Sequence, residues 1–334
     1  MKNIVNHLEI SNFKSIKNLK MDCKRVNIFI GGPDVGKSNI LEALGLFSLP
    51  FGVNYYAGNI KDFIRYDKLY QFFYNFDFSK PIEVTTDKFH CRIDYNNRTE
   101  SCIIKYLEPF HDDSFIEKEL NVNSSGQLTI HNDLGNYQIF FYRYMQAEHR
   151  IFNGKFLMPP LGWNIQEIIF INQVARSLTK KILESNNREP VFIKPDNTLV
   201  QQINVGIDER VQLPYILFSD GMKHLLFNLA AIMTNTDSVV ILEEPESHSF
   251  PYYSGLIAEK IAESKTNQFF IATHNPYFLD KIIEKTPLNE LNIFIVDFIN
   301  NETTIKSLKE KEIIEIIEND IDTFFNLDRF SNEK

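Results

Sequence analysis

The stretch VNIFIGGPDVGKSNILEAL, Val26 to Leu44, decides the fold. Its first five residues form a short apolar run that fits a buried strand, and Asn39 to Leu44 reads as the opening of a helix. Between them Gly31 and Gly36, with four residues separating them, let the backbone turn a ring of N–H donors inward. Strand, glycine loop and helix in this order make a phosphate cradle. Gly31, Gly32, Pro33, Asp34, Val35, Gly36, Lys37, Ser38 and Asn39 are therefore the expected nucleotide-binding residues. Lys37 is placed to reach the terminal phosphates, and Ser38, in the first helical turn, to hold Mg2+.

A second apolar run, Val239-Val240-Ile241-Leu242, ends in Glu243-Glu244-Pro245-Glu246. Carboxylates at the carboxyl end of a buried strand lie where ligands gather in open α/β sheets. Glu243 is expected to orient a metal-bound water, and Glu244 to position or polarise the water that attacks the γ-phosphate. A third run, Gln268 to Ala272, leads into Thr273-His274, and the imidazole there can donate to the γ-phosphate and hold the attacking water. Taken alone, Glu243 and Glu244 could be a solvated acidic turn and His274 a structural histidine; in this order, catalytic roles for Lys37, Glu244 and His274 are the better account. Glu246 reads equally well as a local structural group.

The rest of the chain sets the frame. Its 334 residues, 43% of them hydrophobic, suffice for a substantial core. A formal charge of -9 gives no footing for a broad nucleic-acid surface, because such binding neutralises phosphates with Lys and Arg. Cys23, Cys91 and Cys102 are odd in number and lack CxxC spacing, against a disulfide scaffold or a cysteine-rich zinc site. The N-terminus lacks the sustained apolar stretch of a signal peptide, and no interior run approaches membrane-spanning length, so a cytoplasmic location without membrane partners is expected.

Short strands are expected at residues 8–10 and 19–21, a helix near 38–47 broken by Pro50, Gly52 and Gly58, and an aromatic-rich helix over 60–76. Alternating runs between about 81 and 140 predict an antiparallel β insertion. One long helix over 164–185, a small hairpin at 191–193 and 200–205, and a helix from Leu225 to Met233 follow. A strand at 293–296 and a charged helix at 308–320 complete the tail. The expected division is an N-terminal lobe over 1–150, a helical lobe with the small hairpin over 151–235, and the remaining core and tail over 236–334.

The segments LEISNFKSIKNLKM, GGPDVGKSN, LMPPLGWNIQEI, LFSDGMKHLLFNLAAI, VVILEEPESHSFP and FFIATHNPYFLD run from residue 8 to residue 280. In this order they resemble the ABC-type ATPase heads of the RecF, SMC and OLD-like group, especially its compact bacterial members. The resemblance implies an α/β P-loop head with a mixed β core, an antiparallel β insertion and a helical lobe. It also implies ATP and Mg2+ as cofactors and a homodimer that sandwiches two ATPs. Ser219-Asp220-Gly221-Met222-Lys223 stands where the group carries its signature sequence, so Ser219 and Gly221 would close over the nucleotide of the other subunit. A helix N-terminus bearing a hydroxyl suits that task, and a plain cap at Ser219 is the simpler alternative.

Several departures stand out. The group's usual Asp is Glu243 here, His248-Ser249-Phe250-Pro251 lacks a second histidine, and Gln71 is only a weak candidate for the water-contacting glutamine. The signature is also far from that of membrane transporters. Slow or partner-dependent hydrolysis is therefore expected. OLD-like nucleases continue into a TOPRIM domain, for which the tail offers no spaced carboxylates, so nuclease activity is not expected. The pair Arg143 and His149 has a spacing found in HEPN ribonucleases, but its surroundings favour chance. By resemblance, the switch would serve bacterial antiviral defence through a separate effector protein or DNA. RecF-like repair and a non-hydrolysing nucleotide-regulated scaffold are the alternatives.

Overall fold

The computed structural model describes the chain apart from residues 1–3, 56–57, 110–114, 131–136, 147–149, 151–153, 186, 195–197, 320–323, 325 and 331–334. It opens with a hairpin, β1 (His7–Phe13) and β2 (Ile16–Asp22), followed by β3 (Val26–Ile30), the glycine loop and helix α1 (Lys37–Gly45). A short helix α2 (Leu49–Tyr55) follows one 3-10 turn after α1, with Pro50 in its first turn, where the missing N–H costs nothing. The expected break at Pro50 and Gly52 is thus absent. Residues 60–76 form separate 3-10 turns and not the expected helix. Phe63, Phe72 and Phe73 are buried there, so core packing of rings overrides helical regularity.

Strands β4 (Ile82–Thr86), β5 (His90–Asn96), β6 (Ser101–Pro109), β7 (Phe115–Val122) and β8 (Leu128–Ile130) continue the antiparallel order, and β9 (Ile139–Tyr142) leaves it. The first seven-stranded sheet runs β2-β1-β4-β5-β6-β7-β8, so the β-rich region is no separate insertion but an extension of the N-terminal hairpin. Instead of one helix over 164–185 there are α3 (Ile165–Ile171) and α4 (Gln173–Glu184). Asn172 divides them because its side-chain oxygen accepts from the N–H groups of Val174 and Ala175, capping α4. The hairpin expected near 191–205 gains a third strand: β10 (Glu189–Ile193), β11 (Thr198–Asn204) and β12 (Arg210–Pro214).

Helix α5 (Asp220–Thr234), β13 (Val239–Glu243), α6 (Pro251–Glu263), β14 (Gln268–Ala272) and α7 (Pro276–Lys285) rebuild the α/β alternation. It ends with β15 (Leu291–Ile299), β16 (Glu302–Ser307), α8 (Glu310–Glu318) and the short α9 (Leu327–Phe330). The central sheet has the order β16-β15-β3-β14-β13-β9, with every pair parallel except β15 and β16. Its inner strands are buried on both faces, which explains their continuous apolar sequences. Alternate residues serve different cores. Phe29, Val239, Ile241 and Phe270 pack with α1 and the antiparallel sheet, while Ile28, Ile30, Val240, Leu242 and Ile271 pack with α3 to α8. The mixed β core, the antiparallel sheet and the helical lobe expected from the sequence are all present. The three parallel strands β3, β13 and β14 end at the same edge, where the glycine loop, the acidic pair and His274 follow them.

Candidate functional site

The glycine loop is held by contacts that only glycine permits. Gly31 and Gly36 have φ of 157° and 101°, and a Cβ on them would collide with the Val296 carbonyl and the Thr303 hydroxyl, respectively. A relay of side chains braces the same loop from behind. Asn39 Nδ2 donates to Ser15 Oγ at 2.7 Å, Ser15 and Thr303 hydroxyls meet at 2.6 Å, and Thr303 Oγ1 donates to the Val35 carbonyl at 2.9 Å. Asn39, expected among the nucleotide-binding residues, thus spends its amide on fixing the loop. Ser15 and Thr303 come from the β1–β2 turn and the edge strand β16, and no local motif marks either.

Lys37 is buried, and its Nζ donates to the carbonyls of Gly31 at 3.0 Å and Gly32 at 2.6 Å. Burial lowers its pKa to about 8, against the pull of the Glu244 and Asp34 carboxylates. Next to it Ser38 and the Glu243 carboxylate line the same cavity, so the two expected metal ligands are brought together. Burial alone would raise the Glu243 pKa. The charges of Arg65 and Arg143, helped by the Ser38 hydroxyl, outweigh it and hold the carboxyl below its usual range.

Those arginines belong to a cluster that sequence reasoning missed. Arg65 reaches Glu243 at 2.8 Å and Glu42 at 2.9 Å; Arg143 reaches Glu42 at 2.8 Å and Glu243 at 3.3 Å. Lys14 also pairs with Glu42, whose side chain is fully buried in α1. A buried carboxylate is stable only with such partners. Arg143 therefore belongs to this network; His149, its proposed companion for RNA cleavage, lies outside the described residues.

Glu244 follows β13 with φ 45°, and its N–H donates to the Ala272 carbonyl at 2.9 Å. That bond ties the acidic turn to the end of β14 and brings Glu244 Oε1 within 3.4 Å of His274 Nε2. Both side chains stay open to solvent, at 43% and 41% exposure, so either can reach a water or a ligand. Burial and the Lys37 charge hold the His274 imidazole below its usual pKa, against the Glu244 carboxylate. Glu246 is different: it is buried, accepts from the Thr273 hydroxyl at 2.5 Å, and leaves Oε2 unpartnered. Burial first, with Glu244 adding, pushes its pKa up to about 7.

Pro33 to Asn39, Arg65, Glu243, Glu244 and His274 line one cavity of about 400 Å3. Lys37, Ser38, Glu243, Glu244 and His274, predicted from separate parts of the sequence, are thereby brought together. Ser219 and Gly221 are not among its lining. Ser219 caps α5, accepting the Met222 N–H at 3.4 Å. A Cβ on Gly221 would stand 2.5 Å from the His248 carbonyl, so glycine lets the turn after β13 lie against α5. Gln71 is likewise elsewhere, its side-chain oxygen accepting from the N–H groups of Asp67 and Lys68. No helix among the described residues is long and apolar enough to cross a membrane.

Comparison with known proteins places this geometry in context. A curated relative from Helicobacter pylori, named ATP/GTP phosphatase, is 22% identical over 349 residues, covering 87% of this chain and 92% of that protein. Among solved structures, the SMC head domain from Thermotoga maritima matches with a TM-score of 0.43 and 14% identity, over 91% of this chain and 99% of that one. An SmcHead bound to the C-winged helix domain of ScpA matches with a TM-score of 0.49 and 15% identity, over 93% and 99%. The family described as "AAA domain, putative AbiEii toxin, Type IV TA system" matches residues 26–280. That match takes in the glycine loop, the acidic pair and His274, and the chain belongs to this AAA-domain family.

Proposed function

We propose that the chain is an ATP-hydrolysing molecular switch, an ABC-type head that pairs with a second copy around two nucleotides. Its closure would control a separate effector protein in bacterial antiviral defence. The observation that carries this reading is the convergence of Lys37, Ser38, Glu243, Glu244 and His274 on one cavity. The curated relative's name, ATP/GTP phosphatase, supports a phosphate-releasing reaction. An acidic chain with a net charge of -9 favours a protein effector over constitutive DNA contact.

Ser38 and Glu243 present hard oxygen atoms to the same cavity. That pairing suits Mg2+, which completes its shell with waters and phosphate oxygens. When bound there, Mg2+ would neutralise charge on the β- and γ-phosphate oxygens. The chain's own groups do the rest. The loop N–H groups cradle the phosphates, and Lys37 exchanges the Gly31 and Gly32 carbonyls for the terminal phosphate oxygens. Glu244 accepts a hydrogen bond from the attacking water and aligns it, while His274 steadies that carboxylate and faces the γ-phosphate.

Ser219 and Gly221 lie outside this cavity, so in this reading they act on the nucleotide of the second copy, where the N-terminus of α5 meets a γ-phosphate. ATP then contacts both chains in the closed state, and its hydrolysis removes the differential contacts that favour closure. A steady-state phosphate-release assay tests the chemistry. Turnover slower than about 10 per second, abolished in Lys37→Ala, is the expected result. Equal phosphate release by wild type and Lys37→Ala would contradict it.

A further inference from the structure

A second cavity, of about 240 Å3, lies beside the first turn of α5 and away from the glycine loop. Its walls carry the aromatic rings of Tyr144, Trp163, Tyr215 and Phe227. One charged group lines the same space. Lys223 is 7% exposed, and its ion-pair partner, Asp220, is itself 75% exposed at 2.8 Å. A buried ammonium held only by a solvated carboxylate is costly. The ammonium is a donor, so an acceptor group carrying negative charge satisfies it.

The structure assigns this cavity, we propose, as a binding site for a small planar aromatic acid of one or two rings, its ring among Tyr144, Trp163 and Phe227 and its acidic oxygens on Lys223. Concave, aromatic-walled sites with a few convergent polar groups are the usual form of small-molecule pockets. The location gives such a ligand a route to the nucleotide site. Tyr144 adjoins Arg143, which holds Glu42 and Glu243, and its ring packs on His224 of α5 at 3.9 Å between centroids. An occupant therefore touches both the arm that steadies the expected metal carboxylate and the helix capped by Ser219. This regulatory consequence rests on the proposed switch; binding itself does not.

The test uses the full chain without nucleotide and anilinonaphthalene sulfonate, an aromatic anion whose emission rises in apolar surroundings, with benzoate as competitor. Saturable one-to-one binding displaced by benzoate is expected, weakened at least tenfold in Lys223→Met and abolished in Leu161→Trp, which fills the cavity. Binding of a fluorescent ATP analogue, measured in parallel, reports whether each variant is folded. Should Leu161→Trp fail to fold, Ile216→Glu, an exposed residue of the cavity wall, is expected to repel the anion instead. Unsaturable binding, or the same affinity in wild type and the folded variants, overturns the site. Loss of ATP-driven closure with the anion still bound would instead count against the switch.

Discussion

At the scale of single residues, Glu246 carries the clearest consequence. Its pKa of about 7 lies above the ordinary carboxyl value, so the folded state holds its proton over a range where the unfolded chain has released it. The sign follows: this group's contribution to stability is greatest below the unfolded pKa, falls as pH rises towards 7, and is lost above it. The span corresponds to about 3 kcal/mol at most. Glu246→Gln mimics the protonated form and keeps an acceptor for Thr273. We expect the variant to melt higher than wild type at pH 8 and nearly equal to it at pH 5, as calorimetry would show; an equal difference at both pH values would refute the assignment. Glu42 points the other way. It is fully buried against Lys14, Arg65 and Arg143, and Glu42→Gln should cost roughly 3–5 kcal/mol in urea unfolding because it strands the largely buried Lys14 and Arg143. The sequence left Glu246 open between a site group and a local structural one, and the role of Glu42 was not legible in it. Ion pairs between Glu42, Arg65, Arg143 and Glu243 join residues far apart in the chain, and no local spacing encodes them.

At the scale of elements, legibility tracked burial. The strands β3, β13 and β14 were readable because burial on both faces leaves an uninterrupted apolar run, and the residues that follow them define the candidate cavity. Strand β16 was missed because ETTIKS lies at the sheet edge and is largely polar, yet its Thr303 braces the glycine loop. The split of α3 from α4 was hidden for another reason: the amphipathic pattern continues through Asn172, and only the side-chain cap marks the break. Asn172→Ala is expected to destabilise the chain by about 1 kcal/mol in urea unfolding, while Asn172→Asp, which keeps the acceptor, stays close to wild type. Equal losses in both variants would assign the break to something other than the cap. Gly36→Ala belongs to this scale too. With φ of 101° and Thr303 against its Cα, the substitution should distort the loop and remove nucleotide binding while the β core remains folded. Isothermal titration with ATP beside a circular dichroism spectrum separates those two effects.

For the whole molecule, the arrangement of the two halves of the expected machinery is the telling feature. The glycine loop, Glu243, Glu244 and His274 converge within one chain, whereas Ser219 and Gly221 stand apart on α5. The sequence motifs foretold the first group residue by residue, since each follows a buried strand at one edge of the sheet. They could not supply the second cavity, which arises only when the segment around Tyr144, the loop at Trp163 and helix α5 pack together. If Ser219 and Gly221 serve a neighbour's nucleotide, blocking hydrolysis must accumulate the paired state. The most direct measurement is therefore light scattering of Glu244→Gln with saturating ATP and Mg2+: a stable dimer is expected, reverting to monomer when nucleotide is removed, and a purely monomeric population under those conditions would contradict the account.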